Sequence, residues 1–450
     1  MDASWSIVVD FTLLSLFLGI ATYLKRRVHF LQRFIIPTSM VAGFIGLILG
    51  PEVLNIVDLD IQRLGNIVYH LMAIGFIALA LKDRNREKNK EVTKTGAYIV
   101  STYLIQGIVG LGVSLILVNT LYPDLFPPFG LLLPLGYGQG PGQAYSIGTQ
   151  WEQLGFSNGG NIGLSVATLG FLWACIIGIL LINFLTHKKK AYKILEPKTT
   201  EPKKIYEESE QGDIPLSGSI DRISIQLFLI GIVYLATYLT LRGLSIVLNP
   251  LGNFGQTLSQ LLWGFHFIIG TIYAILLRVI FDFQKKRGKM THNYPNNYLL
   301  QRISGGAFDF MITASISAIS IYTLKEYIVP ILLITSLGGL VTVLYTIFLC
   351  KKIFKKHILE YIVALYGMLT GTISTGLALL KEVDPNFETP VAENLVLGSA
   401  IGLFLGLPLM LILNIPVFAY VSNQPQMYAY TFLAFIGYLS VLYIFVLRRK

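Results

Sequence analysis

Runs of about 20 apolar residues, the length a helix needs to cross the hydrocarbon core of a bilayer, recur roughly eleven times along the chain. Their approximate bounds are 5–24, 35–50, 64–81, 96–122 and 162–186, then 222–248, 256–282, 303–323, 328–350, 394–420 and 427–447. In hydrocarbon every backbone N–H and C=O has to find a partner within the protein, so such runs are expected as helices and not as open sheet. With 54% hydrophobic but only 13% charged residues, the chain lacks the charge to coat a soluble surface. Soluble enzymes and DNA-binding modules are excluded, and nucleic acid with them as a partner. The class expected is an all-α polytopic membrane protein.

The formal charge of +10 does not mark a nucleic-acid face, because almost all of the 35 Lys and Arg lie in alternate connections: Lys25 to Arg33, Lys82 to Lys94, Lys188 to Arg222, Lys285 to Arg302, Lys351 to Lys356 and Arg448 to Lys450. The intervening loops 51–62, 249–253 and 421–426 hold none. Basic connections face the cytoplasm, so the amino terminus is placed outside and the carboxyl terminus in the cytoplasm. The first apolar run is followed, not preceded, by its basic cluster and shows no small-residue cleavage site, so it reads as a retained span. Residues 187–221, charged and interrupted by Pro197, Pro202 and Pro215, read as a cytoplasmic linker. Cys175 and Cys350 lie inside apolar runs and offer neither a disulfide framework nor a CxxC motif.

Each half of the chain carries four apolar runs, then a Gly-rich interrupted stretch, then a fifth run. An offset of 233 residues pairs Gly138 with Gly371, Asn161 with Asn394, Leu164 with Leu397, Ala167 with Ala400, Phe171 with Phe404 and Leu172 with Leu405. An odd number of spans reverses the second copy, so an inverted repeat of five transmembrane helices is expected. Residues 1–186 form the first unit, with a re-entrant hairpin near 131–152, and 222–421 the second, with a hairpin near 361–388. Residues 427–450 add one extra C-terminal helix. Corresponding interrupted segments in two such halves are the best sequence pointer to the binding site of a secondary transporter.

The first interrupted segment runs from Gly136 to Tyr145, with Gly136, Gly138, Gly140 and Gly142 at alternate positions and Pro141 between them. No regular helix tolerates that pattern, and non-helical backbone at membrane depth survives only where protein or water surrounds it. Gln139, Gly140 and Gln143 are the candidate substrate contacts here, with Gly138 and Gly142 as candidate ion contacts. The second segment, Gly367 to Gly376, sets hydroxyls beside flexible backbone. Thr370, Thr372, Ser374 and Thr375 are its candidate substrate groups and Gly371 its candidate ion contact. Hydroxyls within membranes also bond their own helix, so each has that second reading.

Intramembrane charge is costly and so points to function. Asp309, with Thr313 one turn on, is a candidate cation site, the alternative being a boundary residue facing water. Asp10 reads as interfacial, His70 and His266 as packing imidazoles, and Arg242 and Arg278 as residues reaching headgroups or water. Catalytic and nucleotide-binding patterns such as HExxH, GxSxG or GxxxxGK[ST] are not found, so no enzyme is expected.

The chain resembles the sodium/glutamate symporters of the bacterial ESS family. The residues that carry the resemblance are Phe30 to Pro37, Ile74-Gly-Phe76, Gly138-Gln-Gly-Pro-Gly142 with Tyr145, Gly155-Phe156 and Ala167-Thr-Leu-Gly-Phe171. Gly371 to Gly376 with Asp384-Pro385 lies where that family places its second re-entrant loop. The family's first loop commonly reads Gly-Gly-His-Gly-Thr-Gly, where this chain has Gln139 for the His and Pro141 for the Thr. The resemblance implies two re-entrant loops meeting near mid-membrane, a homodimer in the bacterial inner membrane, and an elevator-like movement of a transport domain against a scaffold. The expected function is sodium-coupled import of glutamate or a related acidic amino acid or small carboxylate, with sodium as coupling ion and only metal, held near Gly138, Gly140, Thr372 and Ser374, and no cofactor. A passive channel or facilitator, and a polytopic membrane enzyme, are the alternatives.

Overall fold

A computed structural model of the chain describes residues 3–28, 37–82, 90–188, 216–288, 294–384 and 388–447. Within them no strand occurs, and seven helices are long and apolar enough to cross a membrane. The protein is an all-helical, multi-pass membrane protein.

The first half contains α1 (Ala3–Arg27), α2 (Thr38–Leu49), α3 (Ile61–Leu81) and α4 (Lys90–Thr120). A 3-10 turn, Pro127–Leu131, and a π-helical turn, Pro134–Gln139, lead into α5 (Pro141–Glu152) and α6 (Gly159–Lys188). The second half contains α7 (Leu216–Leu248), α8 (Gly252–Gly264), α9 (His266–Lys286), α10 (Asn297–Ser317), the short α11 (Ile321–Glu326) and α12 (Ile328–Ile353). There follow α13 (Ile358–Thr370), α14 (Ile373–Val383), α15 (Val391–Leu405), α16 (Leu407–Ile412), α17 (Ile415–Val421) and α18 (Gln426–Leu442).

Several expected spans are shorter or broken. The described part of the run 35–50 is the 12-residue α2. The run 256–282 divides at Phe265 into α8 and α9, and the run 303–323 ends its helix at Ser317. The run 394–420 bends by 47° between α15 and the α16–α17 stretch. Its break falls at Gly406, and Pro408 just beyond it has no N–H to continue the ladder. The linker is shorter than expected at both ends, because α6 runs to Lys188 and α7 begins at Leu216; residues 189–215 lie outside the described ones.

Packing groups the helices into two assemblies. In one, α3 and α10 cross at the centre, α2 lies against α1 and α10, and α9 lies against α7 and α3. Its own small core joins Ile77, Leu81, Leu229, Val233, Ala274 and Leu300. In the other, α4 packs on α12 and α15, while α6 holds α5 and α13.

Asp10, expected at an interface with water or lipid headgroups, is instead 0% exposed and paired with Arg63 at the start of α3, Nε to Oδ2 at 2.6 Å. The partner lies 53 residues away in sequence, which is why Asp10 looked solitary. Asp60 caps the same helix, accepting from the Arg63 backbone N–H at 2.7 Å. Arg278 reaches the carbonyls of Ala80 and Lys82 and so closes the far end of α3, while Arg242 is exposed. His70 meets the Tyr234 hydroxyl at 2.6 Å, and His266 is buried, stacked 3.6 Å over Tyr69. Both imidazoles are packing groups.

The Asp10–Arg63 pair is asymmetric, since the carboxylate is fully buried and the Arg63 side chain is 32% exposed. Arg63→Ala strands a buried carboxylate and should cost about 3 kcal/mol, whereas Asp10→Ala leaves an arginine that reaches water and should cost about 1 kcal/mol. Unfolding of the two purified variants under one set of conditions checks the order; equal losses would contradict it.

Candidate functional site at the two hairpin tips

The first hairpin breaks where its sequence cannot continue. Gly140 sits at φ 99°, ψ 174°, a region only glycine occupies readily, and Pro141 then opens α5 at a position that needs no N–H. The carbonyl end of the 134–139 turn therefore faces the amide end of α5 across a single residue. On the turn side, Gly138 lets α4 come close: a Cβ there would overlap the Tyr103 ring and lie 3.0 Å from Gln106 Oε1. Tyr137 donates its hydroxyl to the Thr335 carbonyl of α12 at 2.8 Å. On the α5 side, Gly142 faces sulfur atoms of Met72 on α3 and Met311 on α10, which a Cβ would approach to 3.0 and 2.6 Å.

The second hairpin breaks at Gly371, between α13 and α14. Thr372 caps α14, its hydroxyl accepting from the Thr375 N–H at 3.4 Å, and the two threonine hydroxyls lie 3.3 Å apart. Thr370 is spent on its own helix, donating to the Tyr366 carbonyl at 2.8 Å. The side chain of Ser374 lies outside the described residues. Beyond α14, Asp384 accepts from the Glu388 N–H at 2.9 Å and from the Thr389 N–H at 3.0 Å and its hydroxyl. Burial alone would raise this carboxyl, but those hydrogen bonds outweigh it and hold Asp384 below the usual carboxylate range.

Two helices bring the tips together. A Cβ on Gly170 of α6 would meet both the Thr370 carbonyl, at 2.5 Å, and the Tyr137 ring, at 2.7 Å. On the same helix, Gly136 packs on Ala167, about one turn earlier, and Gly371 on the adjacent Phe171. From α4, Gln106 donates to the Thr342 hydroxyl of α12 at 3.0 Å and to the Leu369 carbonyl of α13 at 2.9 Å, beside Gly138. Gln106 was not among the residues singled out from sequence. The signal available was a lone carboxamide at the midpoint of a long apolar helix, followed by Gly107 and Gly110.

Gln139, Gly140, Gln143, Gly138 and Gly142 thus lie on one tip, and Thr370, Gly371, Thr372 and Thr375 on the other. Buried amide atoms of Gln106, Gln139 and Gln143 have no hydrogen-bond partner there. Gly142 sits in the first turn of α5, where N–H groups and not carbonyls face the break, so it suits an anion better than the cation expected of it. The structure does not bring Asp309 and Thr313 into this arrangement. Asp309 is exposed and lies two residues from Met311, hence on the opposite face of α10; Thr313 donates to the carbonyls of Asp309 and Ser39, joining α10 to α2. A groove of about 670 Å³ lies elsewhere, between Gln153 and Leu154 at the base of the first hairpin and Tyr420 and Tyr428 near α17 and α18. It has no charged lining, and the tips, which are closed over their polar groups, are the better candidate on chemistry.

Residues 1–379 match the family model described as sodium/glutamate symporter. The chain belongs to that family. The match takes in both hairpin breaks and stops within α14, leaving α15 to α18 beyond it. Neither the curated proteins nor the solved structures gave a match. This symporter is accordingly a sodium-coupled transporter of a small molecule, embedded in lipid, and its family is one of carriers rather than enzymes.

The close approach at Gly138 gives a specific expectation for the symporter. Gly138→Ala should reduce uptake at least tenfold, and Tyr103→Leu, by removing the ring that the new methyl meets, should restore part of it. Gly140→Ala meets no neighbour and fails through backbone strain alone, so Tyr103→Leu should not rescue it. Uptake rates of the three single and two double variants, normalised to protein in the membrane, check this; equal rescue of both would contradict it.

Proposed function

We propose that the protein imports glutamate or a related acidic amino acid or small carboxylate, coupled to sodium entry, by alternating access at the two hairpin tips. The observation that carries the reading is that each hairpin sets a helical carbonyl end against a helical amide end across one break, and that the turn leading into the first break, at Gly136 and Tyr137, and the second break, at Gly371, both lie against Ala167–Phe171 of α6. Amide ends favour a carboxylate and carbonyl ends a cation, so one meeting place suits both charges of an amino acid together with a sodium ion. The unpartnered amides of Gln139 and Gln143 add neutral groups that fix orientation without fixing net charge. Thr372 and Thr375 lie at the opening of α14, where a carboxylate would be received; Ser374 belongs to the same turn.

An inverted repeat is supported by neighbour relations. Exchanging α1 with α7, α2 with α9 and α3 with α10 turns the α1–α2 contact into α7–α9 and the α2–α10 contact into α9–α3, and leaves α3–α10 unchanged. The assembly of α1–α3 and α7–α10 is then the scaffold and the site of dimer contact. The assembly carrying both tips is the moving part, meeting the scaffold through the flexible thioethers of Met72 and Met311, through Tyr145 against Gly65 of α3, and through Ser146, which donates to the Gly264 carbonyl of α8 at 3.1 Å. Basic residues end α1, α9 and α12, at Lys25 to Arg27, Lys285 and Lys286, and Lys351 and Lys352, which supports a cytoplasmic side for those ends in a bacterial inner membrane.

Reconstitution into liposomes tests the coupling. With an inward sodium gradient, labelled glutamate should accumulate above its external concentration, and collapsing the gradient with a sodium ionophore should release the excess. Equilibration without accumulation would identify a passive facilitator.

A further inference from the structure

Gln106 stands at the midpoint of the 31-residue α4, at the depth where a polar side chain has least access to water, and it is 1% exposed. Its amide is locked in orientation by acceptors alone. The Leu369 carbonyl can only accept, and the Thr342 hydroxyl has already given its proton to the Gly338 carbonyl at 2.7 Å, so both must face the Gln106 NH2 group. The Oε1 atom is thereby forced to the opposite side. There it is buried with no hydrogen-bond partner, and it points at Gly138, where a Cβ would sit 3.0 Å away.

Gly138 lies in the last turn of the helical stretch that ends at Gln139. The final carbonyls of such a stretch lack helical partners, and Pro141, two residues past that end, has no N–H to offer them. The orphaned Gln106 oxygen thus lies beside the last turn of the first hairpin arm, a turn whose final carbonyls end without helical partners. A cation shared between them would satisfy both. No group of three or more His, Cys, Asp or Glu that would hold a multivalent metal occurs among the described residues. A site of neutral oxygens matches a singly charged, hard cation, for which carbonyls replace hydration water.

We infer that Gln106 Oε1 is a direct ligand of the coupling sodium, held between α4 and the carbonyl end of the first hairpin arm. The inference rests on the symport reading and adds a ligand to it. It also links the ion to the second hairpin: the same amide that would bind sodium donates to Leu369, two residues before the Gly371 break, so the ion and the second tip are joined through one planar group. An amino group of the substrate would suit the same oxygen, which is why the test is done without substrate.

Purified full-length protein is melted across a series of sodium chloride concentrations, with choline chloride holding ionic strength constant and no amino acid present, since a bound ion raises apparent stability. The parent should be stabilised saturably by sodium. In Gln106→Leu the concentration giving half the effect should rise at least tenfold, whatever the melting temperature in choline alone. If the parent responds and Gln106→Leu responds at the same concentration, the assignment of Gln106 is overturned and sodium coupling stands. If the parent shows no response to sodium, both fall. Should Gln106→Leu fail to fold, Gln106→Glu decides: proton and sodium then compete for one oxygen, so its half-effect concentration should drop at least threefold from pH 6 to pH 8 relative to the parent, and a ratio that does not change with pH overturns the proposal.

Discussion

The structure depends on how backbone polar groups are satisfied where there is no water. A helix cut at mid-membrane exposes carbonyls on one side of the cut and N–H groups on the other, and lipid tolerates neither. This chain cuts two hairpins, at Gly140 and Gly371, and packs the turn before the first cut and the second cut against the same stretch of α6, with Gln106 of α4 beside both arms. The unmet groups then lie inside protein. That arrangement is a cost to folding which the proposed binding of an ion and a charged solute would offset.

Glycine is what allows so many elements to converge. Gly136, Gly138 and Gly170 bring the first hairpin, α4, α6 and the Thr370 carbonyl within contact distance, and each would collide with a neighbour if it carried a methyl group. The same device recurs where α5 meets the other assembly, since Gly65 of α3 would collide with the Tyr145 ring if it carried a methyl group, while Met72 and Met311 face Gly142 with unbranched side chains.

Much of this was legible in sequence because the signals are strong there. Alternating glycines with Pro141 between them cannot form a regular helix, and apolar runs of spanning length leave little choice of fold. Other features were not legible because they depend on partners distant in the chain. Asp10 looked interfacial because Arg63 is far along the sequence, and Asp309 looked functional because nothing local shows that it faces away from the hairpins. Gln106 was passed over as a single amide in an apolar helix; its importance comes from Thr342 and Leu369, which only the fold places beside it. Breaks at Phe265 and Gly406 shortened runs that composition alone had made continuous.

The central claim is that the two tips meet inside the protein, and thiol chemistry tests it most directly. In a background with Cys175 and Cys350 replaced, cysteines at Gln139 and Thr372 should be joined within one chain by a short bifunctional thiol reagent, and sodium with substrate should shield both from a membrane-impermeant label. Failure to join them, with both labelled freely whether or not sodium and substrate are present, would place the tips apart in solvent and contradict the account.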